Sequence, residues 1–222
     1  MTDYTLAREN MIESQVRPNG ITDHRIIDAM AGLAREAFVP DSRRPVAYVD
    51  EDIPLTDGAG GDPRRFLVEA MAFARLVQLA EIKAEDKVLH VGAASGYGTA
   101  VLARMAGQVV AVESDGGLAS QARERLAGSG NVTVVEGPLG EGCKAEAPYD
   151  VILIEGRVGE IPQALIAQLG DGGRLVTVVG EGDVGKAEVL TRSGGSVAVR
   201  QAFDASIAPL PGFARRRPAF VF

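Results

Sequence analysis

A turn of small residues directly follows an apolar run at residues 88–98, which read VLHVGAASGYG. Small side chains allow a ligand to touch the main chain, and a helix that follows offers free N–H groups at its N-terminus. Glu113 ends the next apolar run, about 20 residues further on, where a carboxylate can accept hydrogen bonds from both ribose hydroxyls. The pattern predicts a site for a nucleoside-containing cofactor. Tight strand–helix packing of the turn and a solvated role for Glu113 are the alternatives.

The spacing within the turn limits which cofactor can bind. A dinucleotide fingerprint that starts at Gly92 requires glycines at positions 94 and 97, where this chain has Ala94 and Tyr97. No Gly-Lys-Ser/Thr sequence follows, so a nucleoside triphosphate loop is excluded as well. The remaining pattern of Gly92, Ala94 and Gly96 with an acid at 113 favours a cofactor without a pyrophosphate.

The elements that must position this turn can be read from Lys87 onward, where runs rich in Val and Ile alternate with segments of helical pattern. Such alternation is typical of parallel βαβ units with helices on both faces of the sheet. We therefore predict an α/β fold with a doubly wound, mostly parallel, Rossmann-like sheet. The expected strands are 87–92, 108–113, 131–137, 149–156 and 173–180, and the expected helices are 97–106, 118–128 and 161–169.

The flanking segments are predicted to complete a single domain over residues 1–222. Residues 1–84 form a helical N-terminal extension on the substrate side. It contains a helix with Thr22 as its N-terminal cap, a turn-rich stretch at 40–64 and a long helix at 66–82. Residues 85–222 form the cofactor-binding core. Its tail, 196–213 followed by PAFVF at 218–222, supplies one or two further strands that include an antiparallel edge.

Composition excludes several classes of protein. Lys and Arg total 23 against 30 Asp and Glu, and the net charge of −7 argues against a broad nucleic-acid surface. The single cysteine, Cys143, excludes an internal disulfide and gives no metal-ligand spacing, so no metal is expected. No segment resembles a signal peptide or has the roughly 18 apolar residues of a membrane-spanning helix. We expect a cytoplasmic protein that is a monomer or weak homodimer.

Several stretches resemble one family. VLHVGAASGYGTAVLARMAGQVVAVE is similar to the first cofactor motif of S-adenosylmethionine-dependent methyltransferases, and specifically of the protein-L-isoaspartate O-methyltransferases, which have V-L-E-I-G-T-G-S-G-Y. REAFVPDSRRPVAYVDEDIPL at 35–55 resembles their R-E-x-F-V-P, A-Y and D-x-x-L-P-L segments, and 148–180 resembles their P-F-D-x-I to Q-L-x-x-G-G-R-L-V-x-P-V-G run. The similarity covers roughly 9–180 and implies the methyltransferase fold.

The resemblance implies methyl transfer from S-adenosylmethionine to the free carboxylate of L-isoaspartyl residues in damaged proteins, with S-adenosyl-L-homocysteine as product. The ester then cyclises to a succinimide, whose hydrolysis returns some normal aspartyl peptide. Glu113 matches the ribose-binding acid and Ser114 borders the adenine. The implied cofactor-binding residues are Gly92, Ala93, Ala94, Ser95, Gly96, Tyr97, Glu113, Ser114, Gly137 and Pro138.

The chain departs from the family at two sites. The family has G-x-G-Q-T-I-S-x-P before the long helix, with a serine associated with substrate handling, but Val68 stands in the serine's place. Thr56 and Asp62 are the nearest polar alternatives for the substrate pocket. Pro138 replaces an aspartate that contacts the adenine amino group, so Glu136 or a backbone carbonyl must supply that contact if it exists. The catalytic residues are therefore unassigned.

These departures leave three hypotheses open. The chain is an active isoaspartyl methyltransferase, a methyltransferase of the same fold for another carboxylate or small molecule, or a non-catalytic descendant that binds S-adenosylmethionine or a protein partner. Glu155 follows the fourth predicted strand at the carboxyl edge of the sheet, and we expect it to line the acceptor pocket. His90, inside the first strand of the core, is interpreted as a buried core residue. The ARRRP stretch at 214–218 is interpreted as a solvated edge.

Overall fold

The computed structural model describes residues 3–58 and 64–213, and these form a seven-stranded sheet, a two-stranded ribbon and flanking helices. The sheet order is β5-β4-β3-β6-β7-β8-β9, and β1 pairs with β2 in the ribbon. The strand bounds are Ile53–Pro54 (β1), Phe66–Leu67 (β2), Lys87–Val91 (β3), Gln108–Glu113 (β4), Val132–Glu136 (β5), Tyr149–Val158 (β6), Leu169–Val179 (β7), Gly185–Ser193 (β8) and Ser196–Ala205 (β9). The helix bounds are Tyr4–Met11 (α1), His24–Ala31 (α2), Ala70–Ala80 (α3), Tyr97–Ala103 (α4), Gly116–Arg125 (α5) and Gln163–Ile166 (α6).

The five strands from β5 to β7 are mutually parallel, and β8 and β9 are antiparallel additions at one edge. The central strands β3, β4 and β6 are buried along almost their full length, as expected for runs of Val and Ile covered on both faces. The predicted doubly wound, mostly parallel sheet with an antiparallel edge is confirmed. Strand β8 was not predicted, and PAFVF lies outside the described residues.

Some predicted helix and strand bounds were wrong. The helix expected over 66–82 begins only at Ala70, because Phe66 and Leu67 pair with β1 and Glu69 has an extended backbone. The cap of α2 is Asp23, not Thr22, since the Asp23 side chain accepts a hydrogen bond from the Arg25 amide. The other corrections are a shorter α4, an α6 of one turn, and a β7 that starts at residue 169 rather than 173.

Two hydrophobic clusters line the sheet. The first joins α1, α2 and α3 to one face, with Met11, Met30 and Leu76 among its fully buried members. The second includes Leu89, Ile152 and the C-terminal Leu210. The N-terminal helices therefore share a core with the strands that carry the predicted cofactor turn.

Within the described ranges, no helix has the length and apolar character needed to cross a membrane.

Candidate functional site

The turn between β3 and α4 has an unusual backbone. Gly92, Ala94 and Gly96 have positive φ angles of 85°, 49° and 98°, so every second residue adopts a left-handed conformation. Glycine does this freely, whereas alanine pays a steric cost of roughly 1–2 kcal/mol. The replacement of the family's middle glycine by Ala94 is therefore not a neutral change. The amides of Gly92 and Ala93 donate to the Val112 carbonyl at 2.9 and 3.2 Å, which fixes the turn beside the end of β4.

Glu113 is the polar centre of this region, and its side chain is fully buried. Its Oε2 accepts hydrogen bonds from the Ala94 amide at 2.7 Å and from Arg65 Nη2 at 2.8 Å. Its Oε1 accepts from the amides of Ser114 and Asp115 at 2.7 and 2.9 Å, and from Arg65 Nη1. The acid predicted to bind ribose thus lies next to the turn, as expected, but it is also ion-paired with Arg65.

Ser95 and Tyr97 point away from the open edge of the sheet. Ser95 Oγ donates to the Phe38 carbonyl at 2.5 Å. The Tyr97 ring packs edge-on against Phe38, with centroids 5.5 Å apart, and lies 6.2 Å from the ring of Phe73. Burial raises the pKa of Tyr97. These two side chains anchor the N-terminal extension to the turn, and the Ser95 carbonyl accepts a hydrogen bond from Arg125 Nη1 at 3.2 Å.

The segment after β5 lies on the other side of Glu113. The Gly137 amide donates to the Glu113 carbonyl at 3.0 Å, and the Pro138 carbonyl accepts from the Glu141 amide at 3.1 Å. The Glu136 carboxylate faces the start of α5, where a β-carbon built on Gly116 would lie 3.1 Å from Glu136 Oε1. The structure brings Gly137 and Pro138 to the same edge as the turn. The Pro138 carbonyl is already used within its own turn.

The predicted substrate-side residues have other partners. Val68 is buried, and its carbonyl accepts a hydrogen bond from Arg35 Nη2 at 2.7 Å. Thr56 Oγ1 accepts from the Arg65 amide at 2.9 Å. Asp62 lies outside the described residues, as does the ARRRP stretch. Val68 has no hydroxyl to stand for the family serine, and the Thr56 hydroxyl oxygen accepts one hydrogen bond from within the chain.

Glu155 turns inward instead of lining an open edge. Its side chain is 3% exposed, and Oε2 lies 2.9 Å from Nε2 of the fully buried His90. The other ring nitrogen of His90 is 2.8 Å from Thr99 Oγ1 in α4. Gly98 is required beside this pair, because a β-carbon there would lie 2.0 Å from Glu155 Oε2. His90 is a core residue as interpreted, but its carboxylate partner was not predicted.

Two acidic residues near Val68, Asp52 and Glu69, were not among the site residues predicted from the sequence. Asp52 accepts hydrogen bonds from the amides of Glu69 and Ala208 at 2.8 and 2.6 Å. Burial raises the pKa of the Asp52 carboxyl. Burial, and then the neighbouring charges of Asp52 and Asp50, raise the pKa of Glu69 to about 7. The D-x-x-L-P-L match contained Asp52, but no sequence signal marked Glu69.

The loop after β9 packs against the turn between β3 and α4. The side chain of Leu210 lies against Gly92, where a β-carbon would be 3.0 Å from its Cδ2. It also lies against Gly156 at the end of β6, where a β-carbon would be 2.5 Å from its Cγ. Both glycines are needed for this close approach, so the loop after β9 is part of the site's framework.

Comparison with known proteins identifies the family. The model of the family "Protein-L-isoaspartate(D-aspartate) O-methyltransferase (PCMT)" matches residues 7–212. The chain belongs to this family. A protein-L-isoaspartate O-methyltransferase of Koribacter versatilis (strain Ellin345) is 36% identical over 221 residues, which cover 99% of this chain and 97% of that protein. One of Methanoculleus marisnigri (strain ATCC 35101 / DSM 1498 / JR1) is 42% identical over 176 residues, 78% of this chain and 77% of that protein.

Solved isoaspartate methyltransferase structures share the fold. One, named protein-L-isoaspartate O-methyltransferase, has a TM-score of 0.78 at 23% identity and covers 92% of this chain, which in turn spans 66% of that longer chain. A second, from Plasmodium falciparum, has a TM-score of 0.75 at 18% identity and covers 95% of this chain and 99% of its own. That structure is a complex with S-adenosyl-L-homocysteine. The resemblance read from the sequence is confirmed at the level of family and fold.

The position of the turn and of Glu113 fits the cofactor of an isoaspartate methyltransferase, but the ion pair of Glu113 with Arg65 does not. The turn at 92–96 lies at the carboxyl end of β3 and consists of buried small residues, and Glu113 lies beside it. The two carboxylate oxygens of Glu113 can accept hydrogen bonds from two ribose hydroxyls. Its present ion pair with Arg65 occupies the same carboxylate.

Proposed function

We propose that this chain is an S-adenosylmethionine-dependent methyltransferase that acts on the carboxylate of L-isoaspartyl residues in damaged proteins. The family match over residues 7–212 carries this proposal. The relative from Koribacter versatilis adds support, because its similarity extends across 99% of the chain and so includes both the cofactor turn and the N-terminal extension.

The cofactor is proposed to lie at the edge formed by 92–97, Glu113, Ser114 and 137–138. When bound there, S-adenosylmethionine supplies an electrophilic methyl group on a positively charged sulfur. Because an acceptor carboxylate is already ionised at neutral pH, the chain needs no general base for it. The residues of the chain bind and orient the two reactants and exclude water from between them. The main chain of the turn and the Glu113 carboxylate orient the reactant on the cofactor side.

The acceptor is proposed to bind between the N-terminal extension, residues 1–84, and the carboxyl ends of β3 and β6. Together with the core at 85–222 these residues form one methyltransferase domain. Val68, Thr56 and Glu155 border this region: the Val68 carbonyl and the Thr56 hydroxyl oxygen accept hydrogen bonds from arginines, and Glu155 is buried beside His90. The acceptor carboxylate would therefore be held by groups other than a serine at position 68.

We further propose a cytoplasmic protein, monomeric or weakly dimeric, with isoaspartyl proteins as its partners and no nucleic acid. The acidic composition, with net charge −7, and the single cysteine support this. Size-exclusion chromatography with light scattering, together with fractionation of the source cells, tests the assembly state and the compartment.

The decisive experiment offers the protein methyl-labelled S-adenosylmethionine and a pair of peptides that differ only in an isoaspartyl or a normal aspartyl linkage. We expect base-labile label on the isoaspartyl peptide alone. Calorimetric titration with S-adenosyl-L-homocysteine measures the cofactor site separately. Binding without transfer would refute the isoaspartyl acceptor while retaining the cofactor site. No binding at millimolar ligand would refute the cofactor assignment.

A further inference from the structure

The ion pair between Arg65 and Glu113 leaves the predicted ribose acid with no free acceptor capacity. The side chains of Arg65 and Glu113 are 4% and 0% exposed. Two guanidinium nitrogens and the amides of Ala94, Ser114 and Asp115 all donate to the Glu113 carboxylate. A carboxylate offers about four lone-pair sites, so these five donors saturate it. A ribose hydroxyl can be accepted only if a donor leaves.

Arg65 is the donor that can leave. The three amides belong to the turn and to the end of β4, which the buried parallel sheet fixes in place. Arg65 instead directly precedes β2 in the short ribbon of β1 and β2, whose strands are joined by two residue pairs. Its amide donates to Thr56 Oγ1 at 2.9 Å and its carbonyl accepts from the Leu55 amide at 2.8 Å. A displacement of Arg65 that carries its backbone along breaks both of these contacts with the β1 side of the ribbon.

The same ribbon is continuous in the chain with the residue that replaces the family serine on the proposed acceptor side. Val68, which stands in the place of the family serine, follows β2 directly, and counting back three positions puts Arg65 where the family motif has glutamine. The ion pair with Glu113 exists because this chain has the cationic Arg65 where the family motif has a neutral glutamine. The neighbouring Arg64 is exposed and provides a natural control.

We propose that Arg65 is an affinity-determining residue that competes with the cofactor's ribose for Glu113, and that cofactor binding displaces it and loosens the pairing of β1 with β2. The inference rests on the proposed function, since it takes the cofactor to be a nucleoside bound at Glu113. A ligand that favours the state without the ion pair shifts the population toward that state. By linkage, any change that opens the ribbon also tightens cofactor binding.

The test compares wild type, Arg65→Gln and Arg64→Gln by calorimetric titration with S-adenosyl-L-homocysteine. The two variants lose the same charge at adjacent positions, but only Arg65→Gln removes the competitor. We expect Arg65→Gln to bind at least about tenfold more tightly than wild type, the ratio for a binding-competent state populated to one tenth or less. Arg64→Gln should stay within about twofold of wild type.

Weaker or equal binding by a folded Arg65→Gln overturns the proposal, since Arg65 would then hold the cofactor or play no part. If the wild type and both variants fail to bind at millimolar ligand, the proposed function falls together with this inference. Binding by wild type without tightening in Arg65→Gln removes the inference alone.

A second measurement uses only the wild-type protein and so does not depend on the variant's stability. Hydrogen exchange is followed by mass spectrometry with and without S-adenosyl-L-homocysteine. We expect faster exchange in peptides from 53–58 and 64–67 on binding, and slower exchange at 92–98. Slower or unchanged exchange in the ribbon contradicts the displacement of Arg65.

Discussion

Arg35 Nη2 donates a hydrogen bond to the Val68 carbonyl at 2.7 Å, which joins the R-E-x-F-V-P segment to the position of the family serine. Arg35 Nε donates to the Ala47 carbonyl at 2.9 Å, and its guanidinium lies 4.8 Å from the centroid of the Tyr97 ring. The side chain is fully buried. One cation thus holds two loops of the acceptor side against the residue that follows the cofactor turn.

Arg35→Met should destabilise the fold, because two buried carbonyls lose a charged donor at about 1.5–3 kcal/mol each. We expect the free energy of unfolding to fall by about 3 kcal/mol or more, measured by urea denaturation. Arg43→Met, at an exposed position, is the control and should change it by less than about 0.5 kcal/mol. A loss below about 1 kcal/mol in Arg35→Met would contradict a framework role.

Gly98→Ala should be poorly tolerated although alanine favours helices. Its β-carbon would lie 2.0 Å from Glu155 Oε2 and 3.0 Å from both the His90 ring and the Phe73 ring. Overpacking of a filled core costs about 1–3 kcal/mol, which outweighs the helical gain of about 0.5–1 kcal/mol. Gly128→Ala, where a β-carbon meets nothing within 4 Å, is the matched control. Equal melting temperatures for the two variants would be inconsistent with the packing described.

Glu69→Gln should change how stability depends on pH. Because the pKa of Glu69 is raised to about 7, the folded protein favours its protonated form. The stability that this proton provides is complete below pH about 4.5 and is lost as the pH rises through about 7. The variant should therefore melt higher than wild type at pH 8 by more than it does at pH 5. Glu51→Gln at an exposed site is the control, and a pH-independent difference for Glu69→Gln would argue against the raised pKa.

Glu155→Gln should lower catalytic efficiency on an isoaspartyl peptide by about tenfold or more. The variant keeps the shape of the side chain but removes a buried negative charge 2.9 Å from His90, next to the helix that carries the cofactor turn. Preorganised charges of this kind contribute strongly to charge-sensitive steps. Steady-state kcat/KM measures the effect, and exposed Glu160→Gln serves for comparison. Unchanged turnover and unchanged S-adenosyl-L-homocysteine affinity would show that Glu155 has only a packing role.

Local sequence patterns were enough to predict the sheet and the part of the site formed by the turn at 92–96 and Glu113. The apolar runs at 88–91 and 109–112 predicted buried parallel strands, and the turn with Glu113 was placed at their carboxyl ends, as the structure has them. Strand β8 was missed because glycines and acids at 180–185 resemble a long loop, and its alternating GKAEVLTRS pattern is short of aliphatic residues.

The part of the site that the sequence did not predict depends on contacts between residues that are far apart in the chain. Arg65 and Glu113 are 48 positions apart, and the partners Glu155 and His90 lie on neighbouring strands of the sheet. Nothing in the residue types around Arg65 distinguishes it from the exposed Arg64. The late start of the helix predicted over 66–82 has the same cause, since pairing of Phe66 with Pro54 overrides a good helical pattern. Which residues bind the cofactor stays a prediction.

The contact of Leu210 with Gly92 and Gly156 has a consequence for biosynthesis. Chains emerge from the ribosome N-terminus first, and the strands β3, β4 and β6 are complete long before residue 210 is made. The side chain that covers the back of the turn therefore arrives after nearly all of the described chain has been synthesised. In a nascent chain, the Gly92 side of this turn stays without its Leu210 contact until residue 210 has been synthesised.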